Sequence, residues 1–414
     1  MNVAILGCGK LGLPMAALYA SCGHHIIAVD SNEALIEQLT THTFRTDEPE
    51  VEPLLKQYAA NLSFERLPYE AVLKSDIVFI VVPTPSKADG TFTSEYVVTA
   101  ARQIGTALHD KQGYTLVVVV STLMPGQMDA DVQPALEQTS GKRAGFGFGL
   151  CYSPEFIALG RVIEGLRKPD YVLIGHRQPQ EAQLLKRFYE TVTPALAHYM
   201  DYINAELAKL ATNAYLSLKI AYANVLGQIC ETLPGANVDV VTQAVGADHR
   251  IGGAYLRAGL PAGGVCLPRD LDAMGVLSRP SFLTDIPKWN KFYFDEVARE
   301  IERRLRRKDH ILVMGTAYSA TSSLETQSWG YALEHALKDS GYDVLFCVRD
   351  EIAQEQVDEA DTVILALPLD SYKSLRFHVG QMIFDLWRII DFDTLPHGVG
   401  LYSLGVGAKV SEHV

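Results

Sequence analysis

No two of the six cysteines form a CxxC pair or any other metal-like spacing. Cys8, Cys22, Cys151, Cys230, Cys266 and Cys347 are scattered along the chain. That excludes a zinc ribbon and points to free thiols in a reducing compartment rather than a disulfide framework. Long apolar runs are missing too. Leu116–Val120 is among the longest, a strand's length and far short of the ~20 residues that cross a bilayer. Positive charge is in deficit, with 36 Lys and Arg against 49 Asp and Glu and a net charge of −13. Neither nucleic acid nor a membrane surface is therefore expected as a partner. A small anionic substrate is compatible with that field, because a few local cations override it. Compositional bias is absent: 48% hydrophobic and 21% charged residues are ordinary for a globular protein and exclude disorder, collagen and repeat arrays. Room for a signal peptide is lacking as well. Met1–Gly7 reads as a strand running straight into a glycine loop, so a cytoplasmic protein is expected.

What is present is a strand–helix alternation. At 414 residues two or three domains are expected. Asn2–Leu6 is an apolar strand, Leu13–Ser21 a helix and His25–Val29 a second strand. Further strands are expected at Ile77–Val82, Leu116–Val120, Gly149–Tyr152 and Tyr171–Gly175, with helical stretches between them. Such alternation implies a parallel, doubly wound sheet. From Asn204 to Leu233 apolar residues recur at helical spacing on several faces, which predicts one long and mostly buried helix. Lys288–Arg307 is a second long helix with its charges at the C-terminal end. The alternation then restarts, with strands at His310–Met314, Asp343–Val348, Thr362–Leu367 and Met382–Phe384 and a helix at Ser328–Ser340. The expected fold class is α/β: two Rossmann-like, doubly wound parallel sheets joined by a helical middle domain with a long central helix. The expected boundaries are 1–195, 196–300 and 301–414.

Gly7-Cys8-Gly9-Lys10-Leu11-Gly12 sits where a dinucleotide loop must sit, after a strand and at the start of a helix. Gly7 permits the tight turn, Gly9 lets the backbone approach a pyrophosphate, and Gly12 lets the helix pack on the sheet. The helix N-terminus then faces the phosphates. Asp30 ends the second strand, where its carboxylate accepts from ribose hydroxyls and repels a 2′-phosphate. NAD is therefore favoured over NADP.

Gly263-Gly264-Val265-Cys266-Leu267-Pro268-Arg269-Asp270 is the next informative run. Paired glycines bring backbone against a ligand, and Asp270 follows Cys266 at the i, i+4 spacing of one helical face if a helix begins there. A carboxylate so placed can act on a proton near the sulfur. Taken alone, the run fits a buried structural cysteine better than a reactive one, because free cysteine is among the most buried residue types.

Other segments decide between those readings. They are Ser121-Thr122 with Pro125-Gly126, Ser153-Pro154-Glu155-Phe156, Ala205-Glu206-Leu207-Ala208-Lys209 with Asn213, and Asp248-His249-Arg250-Ile251-Gly252. With the cysteine run, and in this order, they resemble the nucleotide-sugar 6-dehydrogenases, the UDP-glucose/GDP-mannose dehydrogenase family, along nearly the whole chain. The resemblance implies a four-electron oxidation of a sugar primary alcohol to a carboxylate, using two NAD. It implies Cys266 as the nucleophile that forms a thiohemiacetal and then a thioester. Lys209 and Asn213, four apart on one helix face, would stabilise the alkoxide. Asp270 and Thr122, with an ordered water, would manage the proton, and Glu155 would assist hydrolysis. Cofactor contacts are implied for Gly7, Gly9, Lys10, Leu11, Gly12, Asp30, Pro83, Thr84, Thr122, Glu155 and Arg269. Substrate contacts are implied for Phe156, Lys209, Asn213, Arg250, Arg257, Gly263 and Tyr318. Arginine suits bidentate phosphate contact, although Arg257 reads equally well as a surface charge. No metal is implied, and the expected assembly is a homodimer built on the long helix.

The departures from the family pattern fall in the substrate-binding parts. Where the family has Gly-x-Ala-Tyr/Phe-Lys, this chain has Gly315-Thr316-Ala317-Tyr318-Ser319. Ser323, Leu324 and Thr326 fill the places of the paired aspartates and arginine, while Ser328 is kept. Leu260-Pro261-Ala262 replaces the aromatics ahead of the cysteine, and Leu159 replaces a glutamate. The redox residues are complete while substrate recognition is altered. UDP-glucose is the default by family frequency, and the loss of two cations fits a less charged ligand. Two rival readings stand. A two-electron hydroxyacid-type dehydrogenase needs neither the cysteine nor a second sheet, and a non-catalytic NAD-binding protein needs none of the redox residues.

Overall fold

The computed structural model describes residues 1–278, 281–306, 309–349 and 354–407, which divide into two compact units, Met1–Leu210 and Ala211–Val414. The first unit is built on eight strands: β1 Asn2–Leu6, β2 His25–Val29, β3 Leu62–Glu65, β4 Ile77–Ile80, β5 Leu116–Val119, β6 Gly149–Tyr152, β7 Val172–His176 and β8 Ala197–Met200. They lie in the order β3-β2-β1-β4-β5-β6-β7-β8. Runs such as Ile77-Val78-Phe79-Ile80 and Leu116-Val117-Val118-Val119 are buried throughout, because helices cover both faces of the sheet. Val3, Ile5, Phe79 and Val118 pack into one layer, while Ala4, Leu6, Val78, Ile80 and Val117 pack into the other.

Two features of this sheet differ from expectation. One pair is antiparallel: Cys151 faces His176 and Tyr152 faces Gly175. The register starts β7 beyond the carboxyl edge of β6, where the chain has stayed instead of crossing back. The second difference is the pair of edge strands, β3 and β8, which the sequence reading passes over. Leu62-Ser63-Phe64-Glu65 and Ala197-His198-Tyr199-Met200 contain no fully buried residue. An edge strand needs only half a face of apolar residues, so its periodicity is faint.

The long helix Tyr202–Thr232 runs for 31 residues without a break. The second unit contains helices Val238–Gly246, Cys266–Leu277 and Ile286–Arg304. The last begins earlier than the expected Lys288–Arg307 and ends at Arg304; Arg307 lies outside the described residues. The sheet of this unit has β9 His310–Met314, β10 Asp343–Cys347, β11 Thr362–Leu365, β12 Met382–Asp385 and β13 Gly400–Ser403. All neighbours are parallel, in the order β10-β9-β11-β12-β13. It too is doubly wound, and alternate residues of β9 feed opposite faces: Ile311 and Val313 one core, Leu312 and Met314 the other. The helix Trp329–Asp339 starts at a capping Ser328, whose Oγ accepts from Tyr331 N at 3.2 Å. β13 is a further edge strand that the sequence reading does not separate from its loops.

Candidate active site

In open α/β sheets ligands bind where the strand order reverses, outside the carboxyl ends of the strands. In the first unit that point lies between β1 and β4. Gly7 leaves β1 with φ +103°, and a Cβ there would stand 2.4 Å from Val81 O. A Cβ on Gly12 would stand 1.8 Å from Gly7 O, so only glycine lets this helix begin where it does. Gly9, in contrast, has open space where a Cβ would point. The helix Gly12–Ser21 carries no side-chain cap and no acid in its first turn, so its N-terminus presents bare peptide dipoles. Asp30 accepts from Cys8 N at 2.8 Å through Oδ2 and from Asn32 N at 2.9 Å through Oδ1, which fixes the carboxylate beside the loop. Lys10 is exposed and Leu11 half-buried on the same turn. Pro83 and Thr84 follow β4, the first exposed and the second buried. An open glycine, an uncapped helix start and an oriented acid together fit a dinucleotide.

The same unit brings Glu155, Phe156 and Lys209 together. Lys209 is buried at 8% exposure, its Nζ donates to the Glu155 carbonyl at 2.7 Å, and it stands 4.6 Å from the centre of the Phe156 ring. Burial pushes the Glu155 carboxyl up to about 7, and the Lys209 ammonium draws it back in part. Thr122 lies in the loop after β5, half-buried, next to Ser121, whose Oγ donates to Val82 O at 2.7 Å. Glu206, in the same segment as Lys209, has no role implied by the family resemblance. It is fully buried and accepts from Gly126 N at 2.7 Å and Met128 N at 2.8 Å. It thereby ties the Thr122 loop to the helix that carries Lys209, one turn before that lysine.

The second unit brings Asn213, Arg269 and Asp270 together. A helix does begin at Cys266, so Cys266 and Asp270 stand one turn apart, as their spacing requires. Cys266 is exposed, in the first turn, which carries no acid. Asp270 is fully buried. Its Oδ2 accepts from Asn213 Nδ2 at 2.6 Å, and its Oδ1 accepts from Arg269 Nε at 3.0 Å. Ser217, one turn beyond Asn213, donates to Leu267 O at 3.3 Å. Asn213 is thus engaged with Asp270, and Arg269 serves the same carboxylate. Arg250 pairs with Asp248 of its own loop, with 78% of its side chain exposed. Arg257 donates to Trp387 O at 2.8 Å and lies over that ring.

Gly263 and Gly264 are pressed against Tyr318. A Cβ on Gly264 would stand 2.7 Å from the tyrosine ring, and one on Gly263 would stand 2.8 Å from Gln327 O. The loop after β9, which supplies Tyr318, sits at the reversal point of the second sheet. Ser319 is half-buried and Thr326 exposed there, and Thr316 Oγ1 donates to Glu325 at 2.5 Å. Among the described residues no cluster of His, Cys, Asp and Glu could hold a metal ion, and no helix is long and apolar enough to cross a membrane.

Two family models match the chain. The NAD binding domain of the UDP-glucose/GDP-mannose dehydrogenase family matches residues 1–193, and the central domain of the same family matches residues 203–281. A UDP-glucose 6-dehydrogenase of Haloferax volcanii is 31% identical, over 87% of this chain and 85% of its own length. A GDP-mannose 6-dehydrogenase of Pseudomonas aeruginosa is 33% identical, over 66% of this chain and 63% of its own. Among solved structures, a UDP-glucose dehydrogenase of Pyrobaculum islandicum superposes with a TM-score of 0.88 at 28% identity, covering 98% of each chain.

Proposed function

The chain belongs to the UDP-glucose/GDP-mannose dehydrogenase family, and from that premise we propose that it oxidises the primary alcohol of a nucleotide sugar to a carboxylate through a thioester on Cys266. NAD, bound at the Gly7–Gly12 loop, supplies the hydride acceptor for both oxidations. In this reading 1–195 holds the cofactor, 196–300 carries the thiol, and 301–414 takes the nucleotide end of the substrate.

The chain's own residues divide the remaining work. As the alcohol loses its hydride, its proton leaves through Asp270 and a water held with Thr122, while Lys209 and Asn213 stabilise the developing alkoxide. The Cys266 sulfur then adds to the aldehyde carbon, and the carbonyl oxygen takes a proton to complete a thiohemiacetal. Loss of a second hydride and of that proton leaves the thioester. Glu155 takes a proton from water as the water adds to the thioester carbon. The C–S bond breaks, the acid departs and the thiol is restored.

The observation that best supports this reading is the setting of Cys266: exposed, at the start of a helix, one residue after a glycine pair, with a buried and doubly held Asp270 one turn on. A purely structural cysteine needs none of these. Ser319 and Thr326 occupy the places of family cations, which favours a nucleotide less charged than UDP-glucose. The testing experiment is a panel of nucleotide sugars assayed for NADH and acid together. Two NADH per acid formed supports the proposal. One NADH per turnover, with a carbonyl product, replaces it with the hydroxyacid-type reaction.

A further inference from the structure

The eight residues before Val265 form a strap, Arg257–Gly264, that has almost no regular structure of its own yet is held at nearly every position. Trp387, from the loop after β12, presses on its middle. A Cβ on Gly259 would stand 2.4 Å from the indole, so glycine is what lets the ring lie there. The indole is itself anchored: Nε1 donates to Ala366 O, at the end of β11, at 2.9 Å. Its backbone N–H donates to the fully buried Asp385 at 3.1 Å, and Asp385 also accepts from Ile389 N and Ile390 N. On either side of Gly259 the strap is fastened again. Arg388 donates to Ala258 O at 2.6 Å while pairing with Asp239 at 2.9 Å. Trp329 Nε1 donates to Ala262 O at 3.2 Å, and Gly264 N donates to Gln327 O at 3.2 Å.

We propose that Trp387 is a positioning residue for Cys266, acting through this strap; the inference rests on the reading above that Cys266 forms the thioester. The helix Cys266–Leu277 starts where the strap ends, so the site of its first residue is set by the carboxyl ends of β9, β11 and β12. The first oxidation needs no thiol. The second requires the sulfur to meet the aldehyde before it escapes, and a displacement of roughly 1 Å costs such a step about a hundredfold. Loosening the strap therefore separates the two oxidations, and NAD binding by the first unit is untouched.

The test uses the full-length enzyme with Trp387→Leu, Trp387→Phe, Gly259→Ala and the double variant Gly259→Ala/Trp387→Leu. Two quantities are read: NADH formed per acid with the best substrate of the panel, and the rate at which iodoacetamide alkylates Cys266, followed by peptide mass spectrometry without substrate. Trp387→Leu is expected to raise NADH per acid above two, release aldehyde, and change the alkylation rate by about tenfold at unchanged NAD affinity. Gly259→Ala, which drives a methyl into the indole, is expected to do the same. The double variant should be no worse than Trp387→Leu alone, because the clash is gone. Trp387→Phe keeps a ring but loses the bond to Ala366 and the outer indole ring that lies against Gly259, and should fall between wild type and Trp387→Leu. A variant set that keeps two NADH per acid and the wild-type alkylation rate overturns the inference. So does a loss of activity with both ratios unchanged, which is what a merely structural tryptophan would give. If the wild-type enzyme makes no acid from any sugar, the proposed function fails instead, and the alkylation rates still decide whether Trp387 sets the thiol's position.

Discussion

Cys266 and Glu155 carry the sharpest consequences at the level of single residues. An alcohol can lose hydride without a thiol, so Cys266→Ala should retain a slow first oxidation and make no acid through a covalent intermediate. Cys266→Ser offers a weaker nucleophile whose ester resists hydrolysis, and a covalent ester should accumulate on the intact protein. Mass spectrometry of products and protein, after incubation with the substrate and NAD, checks both. Normal four-electron turnover by the alanine variant would remove Cys266 from the mechanism. Glu155 adds a pH dependence. Its carboxyl is pushed up to about 7 by burial, against the partial pull of Lys209. The native state therefore holds a proton that the unfolded chain releases above the ordinary carboxylate range, about 4.3. As pH rises from that range to 7 the unfolded state is favoured, and the stability lost is fully lost above 7. Over the same rise the carboxylate that accepts a proton from water becomes populated, so hydrolysis of the thioester should accelerate. Glu155→Gln should slow acid release at every pH and flatten the fall of the melting temperature between about pH 5 and pH 7. A hydrolysis step equally fast on both sides of pH 7 in the wild type would exclude Glu155 as its base.

Elements show where a single chain is legible and where it is not. The central strands could be read because burial on both faces forces contiguous apolar runs such as Ile77–Ile80. The Cys266–Asp270 spacing could be read because it matches one helical turn, and the helix begins at the cysteine. The edge strands β3, β8 and β13 were invisible, since none of them buries a whole face. Glu206 was visible as a letter but not as a contact. Its partners lie about 80 positions away in sequence, and the only sign was an acid set among apolar residues of a buried helix. Trp387 was hidden for the same reason, its counterpart being a glycine far upstream. Glu206 gives a prediction of its own. Burial pushes its carboxyl up, and the two backbone N–H bonds draw it back. Those donors lead into the π-helical turn Met128–Val132, and the Glu206 carboxylate accepts from both of them. Glu206→Ala should destabilise the chain by about 2–4 kcal/mol in urea unfolding, with Glu206→Gln costing about half as much because it still accepts. The alanine variant should also weaken the hold on the Thr122 loop and lower turnover. Wild-type stability and turnover in Glu206→Ala would show that water satisfies both donors.

At the scale of the whole molecule the long helix poses a question of solubility. Most of Tyr202–Thr232 is packed, yet Leu207, Tyr215, Tyr222 and Ile229 remain 43%, 56%, 52% and 48% exposed. The last three recur every seven residues, so with Leu207 they form one narrow stripe along a helix about 46 Å long. A stripe of large apolar groups at that spacing is the pattern of a helix that meets another helix. A second copy of this chain is the partner that needs no further assumption. In a two-fold dimer the stripe would lie against itself, so each residue would be buried by its own counterpart or a near neighbour. The same symmetry supplies the test. One substitution introduces two like charges at the axis, where an ordinary surface change would introduce one and be tolerated. If the wild type sediments as a dimer, Tyr222→Glu combined with Ile229→Glu should therefore move it to monomer in sedimentation velocity, while NAD affinity, proposed to depend on the Gly7–Gly12 loop, stays the same. A control at Lys56→Glu, an exposed position on the helix Val51–Gln57, should sediment as the wild type does. If the wild type sediments at the mass of one chain at micromolar concentration, the stripe has another partner and the dimer is withdrawn.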